Sequence, residues 1–136
     1  PSALEAAVHY QANTFSSVYI ENQGNGKMKM SPLPDEAQLS NINDMVSGDF
    51  NQDGLLDFLA VGNLYVSEVE TPRNDASYGL LLAGNGKGDF SPVSYDHSGI
   101  YIPNDARAAL SLKRGNQNLV LIVNNNGPLQ IFSINQ

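Results

Sequence analysis

Asp49-Phe-Asn-Gln-Asp-Gly-Leu-Leu-Asp57 is the stretch on which the reading of this chain turns. Asp49, Asn51, Asp53 and Asp57 stand at positions 1, 3, 5 and 9 of a loop, with Gly54 at position 6. Alternating oxygen donors around a glycine suit a hard cation such as Ca²⁺, which takes about six to eight oxygen ligands. The carbonyl of Leu55, at position 7, is the expected backbone ligand. Gly54 is expected to take the positive φ that turns the loop back on the ion without steric cost. The alternative is a polar turn between two strands, its acids facing water.

An EF-hand begins in the same way but ends differently. It carries a bidentate Glu at position 12 and lies between two helices. Here position 12 is Ala60, and Phe58-Leu-Ala-Val-Gly62 follows, a short apolar run closed by Gly62 and Asn63. Such a run reads as a buried strand. Asp57 therefore closes the loop where a strand begins.

The composition narrows the function classes. A chain of 136 residues is expected to form one domain with a real core. Seven Lys+Arg against fourteen Asp+Glu leave a net charge of −7, which argues against nucleic-acid binding. No run approaches the apolar length of a membrane span, so membrane insertion is not expected. There is no Cys, which excludes disulfides and thiolate metal sites. A start at Pro1, without Met or a signal-like segment, points to a processed form or a piece of something longer.

Outward from the loop, the chain repeats. Asn22-Gln-Gly-Asn-Gly-Lys27 recurs as Ala83-Gly-Asn-Gly-Lys87, and each copy leads to Ser-Pro, at Ser31-Pro32 and Ser91-Pro92. Gly-Asn-Gly is hairpin chemistry. Neither copy has the spacing of a phosphate-binding loop, so Lys27 and Lys87 read as turn residues. Phe58-Leu-Ala-Val-Gly-Asn63 is echoed by Val120-Leu-Ile-Val-Asn-Asn125. Two features at nearly one period indicate a repeated structural unit. In that register Ser111, Lys113, Gly115 and Leu119 match Asp49, Asn51, Asp53 and Asp57. The second loop has lost its carboxylates and is expected to be metal-free, with a turn through Arg114-Gly115-Asn116 in place of the ion.

Short strands are expected near 14–21, 26–31, 44–49, 56–62, 78–83, 89–94, 106–112, 118–124 and 128–134, divided by Gly, Asn and Pro turns. Ser2-Ala-Leu-Glu5 fits a capping box, so Ala3–His9 could form two helical turns or the frayed tail of a strand. The segment Glu68–Ser77 is the longest polar insertion.

Asp49–Asp57 running into Phe58–Gly62 resembles the VCBS/FG-GAP repeat, the β-propeller blade also found in integrin α chains. Tyr19-Ile-Glu-Asn-Gln-Gly-Asn-Gly-Lys27, Leu33-Pro34 with Ala37-Gln38, and Tyr78-Gly-Leu-Leu-Leu82 are similar to the last repeats of long bacterial VCBS proteins, relatives of those carrying an ASPIC/UnbV domain. Asn125-Asn-Gly-Pro-Leu-Gln-Ile-Phe132 resembles the end of such chains. The resemblance implies an all-β fold of antiparallel β-propeller-type blades, about two of them, in an incomplete propeller. It divides a single partial domain into the end of one blade (1–34), a blade with the calcium loop (44–94) and a degenerate blade (105–136). It also implies that Asp49, Asn51, Asp53 and Asp57 hold Ca²⁺ by their side chains, with Leu55 giving its carbonyl. Asn51 departs from the Asp commoner there, which should weaken the site without abolishing it. Export to the periplasm, the cell surface or beyond follows from the same likeness.

Propellers close with roughly 4–8 blades. Two open blades would expose large apolar faces, so the expected partners are the remaining blades of a longer propeller or other copies of the chain. No enzyme is expected. His9 and His97, the only imidazoles, sit in no nucleophile or zinc motif, and acids turned towards one cation are not free to shuttle protons. A non-catalytic, calcium-binding structural module is the leading reading. The other is a glycan- or protein-binding module using Tyr65, Arg73, Asp75 and Tyr78 on the 65–78 face.

Overall fold

The computed structural model describes residues 7–134. The Ser2–Glu5 capping box lies outside the described residues, and so does most of Ala3–His9, of which Val8 and His9 are not helical. Among the described residues the fold is all-β, in three antiparallel sheets. β1 (Val18–Gly24) and β2 (Lys27–Pro32) form the first. β3 (Ile42–Gly48), β4 (Asp57–Gly62), β5 (Leu80–Gly84) and β6 (Phe90–Val93) form the second, in that order. β7 (Ala106–Arg114), β8 (Gln117–Asn124) and β9 (Gln130–Ile134) form the third. The sheets do not close into a barrel or a complete propeller. Among the described residues, a 3₁₀ turn at Asp35–Gln38 and one helical turn, α1 (Tyr95–Ser98), are the departures from strand and loop.

Turn chemistry sets the strand limits. Asn25 and Gly26 have φ of 52° and 75°, the double positive that a two-residue hairpin needs, so β1 runs on to Gly24. At its start, the Ser17 amide donates to Gln38 Oε1 at 2.7 Å instead of joining a ladder, which is why β1 begins later than residue 14. Gln38 also donates to the carbonyls of Ser17 and Leu33, each at 3.0 Å, and so ties the 3₁₀ turn to both strands. The second Gly-Asn-Gly is wider. There the Asn85 side chain donates to Asp89 Oδ2 at 2.9 Å and accepts from the Lys87 amide at 2.8 Å.

The internal repeat is visible in the hydrogen-bonded register. β3 pairs with β4 from Ile42↔Gly62 to Gly48↔Asp57, with a bulge between Ile42 and Asp44. β7 pairs with β8 from Ala106↔Asn124 through Leu112↔Leu119, with a bulge between Ala106 and Ala108. The bulges coincide when the first strands are offset by 64 positions (42 to 106) and the second by 62 (62 to 124). Bulges re-aim the residues they free. The bulged Asn43 donates its amide to the Ala106 carbonyl at 2.7 Å, and Asp44 Oδ2 accepts the Ala109 N–H at 2.9 Å. These bonds fasten β3 alongside β7.

The core lies between the second and third sheets. Val46, Leu59 and Val61 pack on Ala106, Ala109, Val120 and Ile122, with Ile102 beside them and Phe50, Phe132 and Ile134 at the edge. The first sheet meets the opposite face of the second through Tyr19, whose ring lies 5.2 Å from Phe90, itself 5.2 Å from Phe58.

Asn63 knots the end of β4 into this arrangement. It is fully buried with φ of 80°, accepts from Ser40 Oγ at 2.9 Å and the Ser77 amide at 3.0 Å, and donates to the Ser77 carbonyl at 2.8 Å. Its carbonyl accepts from the Asn43 side chain at 3.0 Å. Buried groups that lose their partner keep their desolvation cost, about 1–3 kcal/mol each. Asn63→Ala is therefore expected to lower the unfolding free energy by about 3 kcal/mol. Urea denaturation checks this, and a loss below about 1 kcal/mol would remove Asn63 from its central place.

Candidate metal centre

The loop 49–56 bridges the end of β3 and the start of β4 and contains no strand. Its shape is made by side-chain oxygens taking backbone amides two to five residues ahead. The Asp53 amide donates to Asp49 Oδ1 at 3.1 Å and to Asn51 Oδ1 at 3.0 Å. Gly54 N donates to Asp49 Oδ2 at 3.0 Å, and Leu55 N to Asp53 Oδ1 at 2.8 Å. Gly54 has φ of 83°, and a Cβ there would meet no atom within 4 Å, so the demand for glycine is conformational. Asp49, Asn51 and Asp53 thus converge on one short arc of chain. The Asn51 side chain donates to Asp53 Oδ2 at 3.0 Å.

Asp57 is the most heavily hydrogen-bonded of the four. It is fully buried, and Oδ2 accepts the amides of Phe50 at 2.9 Å and Asn51 at 3.4 Å. Oδ1 accepts the Gly84 amide at 2.9 Å. Gly84 comes so close that a Cβ would lie 2.1 Å from the Leu56 carbonyl oxygen. Asp57 therefore clamps the two ends of the loop to β5. For this reason Asp49, Asp53 and Asp57 do not form an acids-only cage, and among the described residues no three His, Cys, Asp or Glu side chains do.

The donor set still fits a hard cation. Every donor is oxygen, and an ionised carboxylate has about four acceptor sites, so the two hydrogen bonds that Asp49 and Asp53 each accept leave capacity at both. Asp57, with three amide bonds, has about one site left. The charge is also uncompensated: among the described residues no Lys, Arg or His forms an ion pair with Asp49, Asp53 or Asp57. Phe50, on the same loop, packs against the core between the second and third sheets.

The matching segment of the third sheet holds no such loop. Ser111 and Lys113 lie within β7, Leu119 within β8, and Arg114 pairs directly with Gln117 across Gly115-Asn116. Gly115 has φ of 58°. The two strands lengthen into the space that the loop occupies between β3 and β4.

The residues of the 65–78 face fall into two groups. The Tyr65 hydroxyl donates to the Pro103 carbonyl, Arg73 lies 4.7 Å over the Tyr65 ring, and Arg73 Nε bonds Asp75 at 2.7 Å. Tyr78 instead stacks on Tyr101 with centroids 5.4 Å apart, and Tyr95 of α1 abuts both rings. This half-exposed tyrosine trio was not readable from the sequence, because its members lie on separate segments. His9 and His97 are both exposed, and His97 stands 3.9 Å from Asp96.

A second buried acid, Asp105, lies beside β7. Burial pushes its carboxyl up, but the Asn125 amide, the Tyr65 N–H and the Arg107 guanidinium together hold its pKa below the ordinary aspartate value. It joins the β4–β5 connection to the turn after β8, since the Asn125 backbone N–H also donates to the Asp105 carbonyl at 2.8 Å. Asn125 echoes Asn63 in the sequence repeat and, like it, works at the end of its strand.

No family model, curated protein or solved structure matches this chain.

The two kinds of acid separate by experiment. In chelator, Asp57→Ala strands the amides of Phe50 and Gly84 in a buried place and is expected to cost about 3 kcal/mol. Asp53→Ala removes an exposed acceptor and is expected to cost less than about 1 kcal/mol. Equal losses in denaturant melts would contradict the division of labour.

Proposed function

We propose that the chain is a calcium-binding, non-catalytic structural and interaction module made of propeller-type blades. The observation that carries the reading is the uncompensated acid set of the loop 49–57. Three carboxylates and one carboxamide lie within nine residues, shaped by their own backbone amides and without a basic partner. Asp49, Asn51 and Asp53 would hold the ion with their side-chain oxygens, Leu55 with its carbonyl and Asp57 with its remaining acceptor site. When bound, Ca²⁺ supplies the positive charge that this segment lacks.

The chain's own residues turn that charge into stiffness. Asp57 pins both ends of the loop, and Phe50 carries the loop into the core where the second and third sheets meet. Fixing the loop therefore braces the junction between sheets. A site of this kind works where Ca²⁺ is plentiful, which favours the periplasm, the cell surface or the extracellular medium. The bulge-for-bulge match between the second and third sheets supports the blade-repeat reading. The acids act as ligands and as a clamp, and no general base stands among them.

Calorimetric titration of Ca²⁺ into chelator-stripped protein tests the proposal. One ion per chain is expected, with binding lost in Asp53→Ala although that variant stays folded. A hundredfold excess of ion over Kd should add about 2.7 kcal/mol of stability. Absence of heat and of any melting shift in folded protein would reduce the loop to a polar turn.

A further inference from the structure

Two apolar surfaces at opposite ends of the stack face solvent, and the internal repeat gives each a definite kind. On the second sheet the cross-strand row Val46–Leu59–Leu81 is buried on the side that carries the third sheet. The register equivalence places Leu110, Leu121 and Ile131 in the same row of the third sheet. There the row is open, with Leu110 46% and Ile131 60% exposed, and Leu112 beside it 46% exposed. β8 reads Leu119-Val-Leu-Ile-Val123, apolar on both faces, whereas an antiparallel strand with one wet face alternates apolar and polar. This face is therefore built like the one that the third sheet itself covers on the second.

At the other end the opposite kind of face is open. Val18↔Pro32 and Ile20↔Met30 on the first sheet match Leu82↔Pro92 and Gly84↔Phe90 on the second. On the second sheet that face, with Phe58 and Phe90, is met by Tyr19 of the first. On the first sheet that face is largely open to solvent. Ile20 is 53%, Met28 63% and Met30 56% exposed.

We infer that the open face of β7–β9 docks on the open face of β1–β2 of a second copy of this chain. The contact continues between molecules the stacking of sheets that already runs within one. It is heterologous, one kind of face on the other, so repetition gives a ring where the rotation closes and a filament where it does not. The inference rests on the repeat of sheets and is independent of the calcium reading.

Sedimentation velocity of the full chain over a range of micromolar concentrations tests it. The wild type should sediment above monomer mass, with a weight that rises with concentration. Ile131→Lys blocks one kind of face and Met30→Glu the other, and each alone should sediment as a monomer. Mixed in equal amounts, they retain one working face each and should form a dimer that grows no further. Both substitutions are on exposed positions, and far-ultraviolet dichroism confirms that each variant is folded. Leu110→Asp replaces Ile131→Lys if that variant loses its strand signal. A monomeric wild type would overturn the inference. So would a Met30→Glu variant that still associates, because the contact would then join two like faces.

Discussion

The Asp57 carboxylate, shut away from water, takes three backbone amides from two places in the chain. Phe50 and Asn51 belong to the loop that Asp57 itself ends, and Gly84 belongs to the far end of β5. Burying an ionised carboxylate is costly unless it is hydrogen-bonded or paired with charge. Bonds from N–H groups to an ionised acceptor are among the stronger ones. Their geometry fixes the entry of the loop, the start of β4 and the end of β5 with one side chain. Gly84 completes the constraint, since any Cβ there would strike the Leu56 carbonyl. The acids before Asp57 can then form an oxygen-lined arc because its ends do not move.

The same economy runs through the stack of sheets. β3–β4 and β7–β8 share register and bulge, and the bulged Asn43 and its neighbour Asp44 join β3 to the backbone of β7. Apolar packing of Val46, Leu59 and Val61 against Ala109, Val120 and Ile122 fills the space between. Polar bonds set the alignment of the sheets, and burial supplies most of the attraction. A unit that covers its neighbour in this way leaves one face of each kind open at the ends of the stack. Both open faces of this molecule follow from that logic.

Most of the fold was legible because its punctuation is local. Gly-Asn-Gly and the loop glycine mark turns by backbone chemistry, and a strand formed near each expected place. The limits moved where a distant partner intervened, as at Ser17, whose amide goes to Gln38. α1 has no sequence signal of its own, because the four residues Tyr95–Ser98 are too few to carry a helical period. In the loop, the positions of Asp49, Asn51, Asp53 and Gly54 fix a shape through short-range amide bonds, and that shape formed. The direction of Asp57 depends on Gly84, far along the chain, and no spacing rule reports it. Asn63 looked like a strand-ending turn residue. Its recurrence as Asn125 was the signal that it does more, since each ties the end of a strand to a distant segment.

Amide hydrogen exchange, residue by residue and with or without Ca²⁺, tests most directly whether Asp57 is the fixed point of the loop. The amides of Phe50 and Gly84 should be protected even in chelator, because their acceptor is part of the fold. The amides of Asp53, Gly54 and Leu55, whose acceptors are exposed, should exchange quickly in chelator and slow when the ion is added. Rapid exchange at Phe50 and Gly84 in folded, chelated protein would contradict the account. It would mean that the ion assembles the loop and that Asp57 does not hold it beforehand.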